Sequence, residues 1–346
     1  MHLPDFLSIS IQNPATIISY ILISGVIIVN GWTDAPTAIA TCISSKTLST
    51  GKAILLAAVM NFFGVFIMSQ FSGKVVSSIA NISDFGSNAE TATIAMNAAL
   101  TSIILWAVAA WFFGIPTSES HALVASLSGA AVAINKNISG INTDEWKKVI
   151  SGLFISAILG FFLGFVFSRT VSFLIKNSDK TKTDRYFCHL QNISAAFMAF
   201  MHGAQDGQKF IGVFLTASSS FISADNQNNI PVFLIIYCSL LMAFGTSIGG
   251  MRIIKSMGSD MIKLKKYQGF SADLAGATAL LISTLTGLPV STTHTKTTAI
   301  MGVGAAHRLS SVDWKIAKEM LLTWILTFPG CGFLGYILTS VFLRIR

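Results

Sequence analysis

Apolar runs of span length, separated by short polar connections, dominate the chain. Ile150 to Ile175 holds one charge, Arg169, and Ile316 to Leu343 holds only Lys318 and Glu319 near its start. Each run exceeds the roughly 20 residues that a membrane-spanning helix needs. Uniformly apolar runs of this length satisfy their backbone in lipid as helices, so the pattern predicts an all-α polytopic membrane protein. Candidate segments fall at residues 15–43, 53–72, 91–112, 115–134, 149–175, 187–216, 231–249, 270–286, 288–306 and 316–344. The longer ones leave room for breaks, or for hairpins that enter and leave on one side.

Polar clusters interrupt this pattern in a repeated way. NGWTDAPTAIA at 30–40 matches HGAQDGQKFIG at 202–212, with Gly31, Asp34 and Ile39 against Gly203, Asp206 and Ile211. GIPTSESHA at 114–122 matches GLPVSTTHT at 287–295. Asp34 precedes His121 by 87 residues and Asp206 precedes His294 by 88. Two motifs in one order at one spacing indicate a duplication. The expected units are an N-terminal repeat 1–175, a basic cytoplasmic loop 176–186 and a C-terminal repeat 187–346. Five segments precede the second copy, and an odd number inverts it across the membrane. Inverted repeats with broken or re-entrant helices are a transporter feature, with the site near the midplane.

Each Gly-x-Pro stretch reads as a chain break followed by a helix start, because proline lacks an N–H and disfavours helix before it. Serine and threonine cap such starts. A helix beginning inside the membrane turns unpaired amides and a positive dipole end into the protein, a ready anion site. Ser118, Ser120, Ser291, Thr292 and Thr293 would complete it as substrate-binding donors. The competing reading is that such hydroxyls bond to the carbonyl four residues back, as expected for Thr295, Thr297 and Thr298. Asp34 and Asp206 are acids inside apolar spans, which are rare and usually functional. Pro36 and Gly31, and Gly203 and Gly207, predict interrupted helices around both. A carboxylate about 5 Å from a bound anion opposes it by about 3 kcal/mol at an effective dielectric near 20, so a cation or proton must stand between them. Asn30, Thr33 and Gln205 are candidate further ligands of that coupling ion, with Thr37, His202 and Gln208 as additional oxygen or amide donors. The alternative for Asp206 is a pair with Lys209 one turn away. His121, His294 and Lys209 are candidate proton or anion contacts, with capping or packing open for the histidines. No resident metal or cofactor is expected. His202 and Asp206 lie at i, i+4 without an HExxH or paired cysteines.

Composition agrees with the membrane reading: 52% of residues are hydrophobic and 11% charged, with a mean hydropathy of +0.67. The formal net charge of +8 sits in short connections, where it sets topology and gives no sign of nucleic acid. KNSDKTKTDR at 176–185 and the connection 251–267 carry clustered lysine and arginine, whereas ASSSFISADNQNNI at 217–230 has none, which places the first two in the cytoplasm and the third outside. MHLPDFLSIS has no basic residue before an apolar core, so a cleaved signal peptide is not expected. The four cysteines lack CxxC spacing and read as packing residues.

Together, NGWTDAPTAIAT, HGAQDGQKFIGV, GIPTSESHAL and GLPVSTTHT resemble the inorganic phosphate transporter (PiT) family. The likeness extends to LLAAVMNFFG at 55–64, GTSIGGMRIIKSMG at 245–258 and EMLLTWILTFPG at 319–330. It implies an inverted-repeat secondary symporter in the cell membrane, not an enzyme, moving phosphate with sodium or protons, or as a metal–phosphate complex. The family's aspartates fall on Asp34 and Asp206 and its hairpin hydroxyls on Ser118, Ser120, Ser291, Thr292 and Thr293. The chain departs from the family asparagines at Thr33, Gln205 and Thr37, and HGAQDGQK resembles the proton-linked branch. Expected partners are inorganic phosphate, a coupling cation, the lipid bilayer and a second copy in a homodimer. A sulfate or other oxyanion permease is the alternative, and an ion channel a remote one.

Overall fold

The computed structural model describes residues 14–115, 117–219, 230–255 and 264–345. Pro116, the N-terminal stretch read for a signal, most of the expected external loop and part of the second basic connection lie outside the described residues.

Proline and glycine set the first boundaries. Helix α1 (Pro14–Thr33) stops at Asp34, and α2 (Pro36–Ser44) begins at once with proline in its first turn. The Thr37 amide then bonds to Asp34 O at 2.9 Å, so the predicted interruption at Asp34 is present. Next come α3 (Thr50–Phe71), α4 (Lys74–Ala80), α5 (Ala89–Phe113), α6 (Glu119–Asn135) and α7 (Thr143–Ile175). The second half has α8 (Lys180–Ser219), α9 (Val232–Ile248), α10 (Met251–Lys255), α11 (Lys266–Thr286), α12 (Thr292–His307) and α13 (Trp314–Ile345). The element order repeats, with α1 plus α2 answered by α8 and each later helix by its counterpart. A single 3₁₀ turn precedes both α7 and α13.

Packing repeats as well. Helix α3 lies on α8 as α9 lies on α1, and α12 lies on α7 as α6 lies on α13. The halves are therefore interlocked rather than side by side. Glycine makes the close crossings possible: a Cβ on Gly203 would strike the backbone of Asn61 in α3, and one on Gly31 would lie 2.7 Å from Met242 O in α9.

Three expectations need correcting. The helix around Asp206 is continuous, because Gly203 and Gly207 serve close packing against α3 and no proline removes a backbone donor. The basic loop is mostly helical: α8 starts at Lys180, its first turn capped by Asp179 Oδ1, which accepts from Thr181 N and Lys182 N at 2.8 and 3.1 Å. The hairpin helices begin at Glu119 and Thr292, later than the apolar pattern indicated: each follows a left-handed glycine, Gly114 at φ 70° or Gly287 at φ 78°, and starts behind a serine cap in extended conformation, Ser118 or Ser291.

Six described helices are long and apolar enough to cross a membrane. Helices α7 and α13 turn large apolar side chains outward, among them Phe154, Ile158, Ile325 and Phe333. Helix α8 falls outside that set because the polar cluster around Asp206 occupies its middle. The protein is a multi-pass membrane protein whose polar clusters around Asp34 and Asp206 lie on buried inner faces.

Candidate functional site

The α1–α2 break, the middle of α8 and the starts of α6 and α12 converge. Thr292 Oγ1 lies 3.3 Å from Asp34 Oδ2 and 3.3 Å from Asp206 Oδ2. Thr293 donates to Asp34 Oδ1. The two aspartates, one from each half, are fully enclosed and meet at the first turn of α12. His202 joins them: ligand atoms of Asp34, His202 and Asp206 lie within 4.8 Å of one another. His202 Nε2 is 3.4 Å from Asp206 Oδ2, and its Nδ1 is 3.0 Å from Asn61 Oδ1. Two carboxylate oxygens and an imidazole nitrogen form a set that could ligate a metal, which the sequence spacing alone did not indicate.

Lys209 ties the site together. Its Nζ donates to Asp206 Oδ1 at 2.6 Å, Ser120 Oγ at 2.5 Å and Val290 O at 2.5 Å. The i, i+3 pairing of Asp206 with Lys209 is thus present, and it bridges both hairpins rather than isolating Asp206 from the site. A buried lysine with three partners is satisfied, since an ammonium has three donors and no acceptor.

The five hydroxyls assigned to anion binding are all buried here, in different roles. Ser118 and Ser291 cap α6 and α12, accepting from His121 N at 3.2 Å and His294 N at 3.3 Å. Ser120 accepts from Lys209, and Thr292 and Thr293 donate to the carboxylates. In α12 the backbone amides of Thr292 and Thr293 precede the first intrahelical bond, from Thr295 N to Ser291 O at 3.1 Å. Those amides face the anion-favouring end of the helix dipole. Thr295 and Thr298 bond back to the carbonyls of Ser291 and His294 at 2.8 and 2.9 Å.

The remaining candidates divide. Asn30 Nδ2 reaches Asp206 Oδ2 at 3.4 Å, and Thr33 Oγ1 sits between Val29 O and Glu119 Oε1. Gln205 turns away from the carboxylates: its amide donates to Leu288 O at 2.8 Å and accepts from Thr284 Oγ1 at 2.7 Å, fixing the approach to α12. His121 and His294 stack edge to face at 4.5 Å between centroids, against Phe328 and Trp324 respectively, with no bond to either aspartate.

Two groups escaped the sequence reading. Glu119 opens α6 as Thr292 opens α12; its buried carboxylate accepts from Thr33 Oγ1 at Oε1, while Oε2 has no hydrogen-bond partner among the described residues. The signal was an acid within a membrane hairpin, masked by the hydroxyls around it. Asp273 of α11 pairs with Lys296 of α12, and Thr41 of α2 donates to Asp273 at 2.5 Å. Neither pattern nor spacing connects residues this far apart.

A family model described as the phosphate transporter family matches residues 30–335. The chain is 38% identical over 318 residues to a probable low-affinity inorganic phosphate transporter of Bacillus subtilis (strain 168), covering 91% of this chain and 94% of that one. It is 35% identical over 309 residues to a protein of the same description from Rhizobium meliloti (strain 1021), covering 88% and 90%. A solved structure described as the sodium-dependent phosphate transporter shares the fold, with a TM-score of 0.85, 20% identity and coverage of 96% of this chain and 100% of that chain.

Proposed function

Because the chain belongs to the phosphate transporter family, we propose that it is a secondary symporter carrying inorganic phosphate across the cell membrane together with a cation. The observation that carries the reading is the meeting of Asp34 and Asp206 at the first turn of α12. Helix-start amides and hydroxyls favour an anion there, while the carboxylates oppose it. A cation between them removes the opposition, so that each ligand improves binding of the other, which is coupling in the thermodynamic sense. The exchanged packing of the two halves supports inverted repeats that rock about this shared site. Asp34 and Asp206 are the coupling-ion residues of this reading, with Asn30 and Thr33 beside them. Ser118, Ser120, Ser291, Thr292 and Thr293 serve the phosphate once caps and carboxylates exchange partners during the cycle.

The test is phosphate uptake into proteoliposomes under imposed sodium or proton gradients, with and without Mg²⁺, and with sulfate as competitor. Concentrative phosphate uptake driven by one gradient is expected. Uptake that requires Mg²⁺ and moves it with phosphate makes the cargo a metal–phosphate complex, for which the Asp34–His202–Asp206 cluster supplies ligands. Complete inhibition by sulfate, with phosphate failing to compete against sulfate, overturns phosphate as the substrate.

A further inference from the structure

Beyond the paired aspartates, the two halves build the same junction from opposite chemistry. As Asp34 answers Asp206, Thr41 answers Val213; as His121 answers His294, Leu123 answers Lys296 and Leu100 answers Asp273. Leu100, Leu123 and Val213 are buried in one apolar cluster. Thr41, Asp273 and Lys296 are equally buried but polar. Lys296 Nζ bonds to Asp273 Oδ1 and lies 3.2 Å from Thr41 Oγ1, and Thr41 donates to the same carboxylate oxygen at 2.5 Å. The first half shows that this junction packs with aliphatic side chains, and a buried ion pair is often no more stable than such a replacement. Packing alone does not account for the pair.

The polar junction lies on a route. Thr37, Thr41 and Ser45 follow Asp34 at one-turn intervals along α2 to its end, whereas Lys209, Val213 and Ala217 follow Asp206 in α8. Ser45 donates to Gln191 Oε1 at 2.8 Å and, with Lys176, Lys180, Arg185, Lys265 and Lys266, lines a surface pocket. That pocket lies where the two basic connections meet, on the face that charge asymmetry assigns to the cytoplasm. A basic mouth of this kind concentrates anions. Along the route, Lys296 uses two of its three donors, and Gln191 Nε2 and Thr37 Oγ1 have no hydrogen-bond partner among the described residues. Asp273 holds the ammonium through Oδ1 alone, its Oδ2 being without a hydrogen-bond partner among the described residues, so the hold is a single contact that another anion can replace.

We propose that Lys296 is a second phosphate station, between the paired aspartates and the cytoplasm, and that Asp273 is the anion that keeps its place. Phosphate leaving the aspartates displaces the Asp273 carboxylate from the ammonium, one anion for another. The carboxylate returns as phosphate moves on past Ser45 to the basic pocket. The aliphatic junction of the first half offers an anion no such exchange. The inference rests on the symport reading and adds to it a residue, a route and a direction.

The experiment measures exchange of radiolabelled inorganic phosphate in right-side-out and inside-out membrane vesicles, with saturating phosphate on the opposite side. It reads the half-saturating concentration at each face. One variant, Thr41→Val with Asp273→Leu and Lys296→Leu, copies the junction of the first half and is expected to keep the native unfolding midpoint. Its half-saturating phosphate should rise at least about 10-fold at the cytoplasmic face and not at the external face, and its maximal exchange should fall at least about 10-fold. The second variant, Asp273→Asn, leaves the ammonium without its competing anion. It should lower half-saturation at the cytoplasmic face by at least about 5-fold and slow maximal exchange, because phosphate leaves the ammonium less readily. A pair that only braces α11 against α12 would not tighten binding at one face when broken. Should the triple variant unfold earlier than native, Asp273→Asn decides alone. Native half-saturation at both faces in the triple variant, an equal rise at both, or Asp273→Asn without tighter cytoplasmic binding overturns the inference and leaves the symport reading standing. A native protein that exchanges no phosphate at either face overturns the symport reading itself, and the inference with it.

Discussion

Asp34 and Asp206 reach the same hydroxyl: Thr292 Oγ1 lies 3.3 Å from one carboxylate oxygen of each. The acids of the two halves are therefore not separate sites but two walls of one. A hydroxyl has a single proton to donate, so it cannot satisfy both oxygens at once, and a positive ion between them has a clear electrostatic role.

Asp34→Asn and Asp206→Asn are each expected to reduce gradient-driven phosphate accumulation by about 100-fold or more. That matches the loss of about 3 kcal/mol of attraction between a carboxylate and its cation at close range. Asparagine keeps the shape, so the thermal unfolding midpoint of Asp34→Asn should remain close to native. Accumulation at the native level in either variant would remove the coupling role of that aspartate.

The pairing of these acids was legible because a duplication leaves a spacing behind. The two motifs recur at nearly equal separation, and the prolines and glycines within them announce the breaks before α6 and α12. The continuity of α8 was not legible. Gly203 and Gly207 look like breakers in a string of letters, and only the backbone of Asn61 and the side chain of Val65 pressed against them show that they exist for close approach. Lys296 and Asp273 were invisible as a pair for a related reason: a contact between α12 and α11 depends on how two helices cross, not on any local period.

Thr292→Val removes the shared donor and leaves two buried oxygens facing a methyl group. Hydrogen bonds to charged groups contribute about 1.5–3 kcal/mol, so the phosphate concentration giving half-maximal uptake should rise by about 10-fold or more. Thr292→Ser keeps the hydroxyl and should remain near native. Native-like uptake by the valine variant would remove the role assigned to the hydroxyl, and a serine variant impaired beside it would place the effect on the methyl group.

Gly203→Val drives a branched side chain into the Asn61 backbone, where no flexible group can yield. Overpacking of this kind destabilises by about 1–3 kcal/mol, and the displacement of α3 from α8 would also disturb His202 and Asp206. Gly51 is the control, because a Cβ there meets nothing within 4 Å. Gly51→Ala should stay within about 0.5 kcal/mol of native. Resistance to unfolding in a graded denaturing detergent separates the two.

Lys296→Met strands Asp273 in an enclosed position with its ammonium partner gone. Breaking a buried pair on one side destabilises by about 3–5 kcal/mol, whereas replacing both members with apolar residues is often neutral. The double variant Asp273→Leu with Lys296→Met should therefore recover most of the stability lost in the single one. If it also recovers phosphate uptake, the pair is a strut between α11 and α12; if it folds but does not transport, the pair takes part in the cycle itself.

His121 and His294 test whether protons pass through the hairpins. Their rings contact each other at 4.5 Å between centroids and lie against Phe328 and Trp324, and among the described residues neither His294 nitrogen has a hydrogen-bond partner. A ring held by aromatic faces on this pattern contributes packing, and phenylalanine reproduces its shape. His294→Phe and His121→Phe are expected to leave the midpoint of the uptake-versus-pH curve where it is in the native protein, with a change in maximal rate of less than about 10-fold, the scale of a modest packing perturbation of about 1.4 kcal/mol. General acid or base work removed from a proton path would instead lower the rate by about 10²–10⁴-fold and move that midpoint. His202 is the contrasting position, because its Nε2 is 3.4 Å from Asp206 Oδ2 and phenylalanine offers no nitrogen there. A displaced pH midpoint in His202→Phe, beside unmoved midpoints in the two hairpin variants, would assign the titrating imidazole to α8 rather than to the hairpin helices.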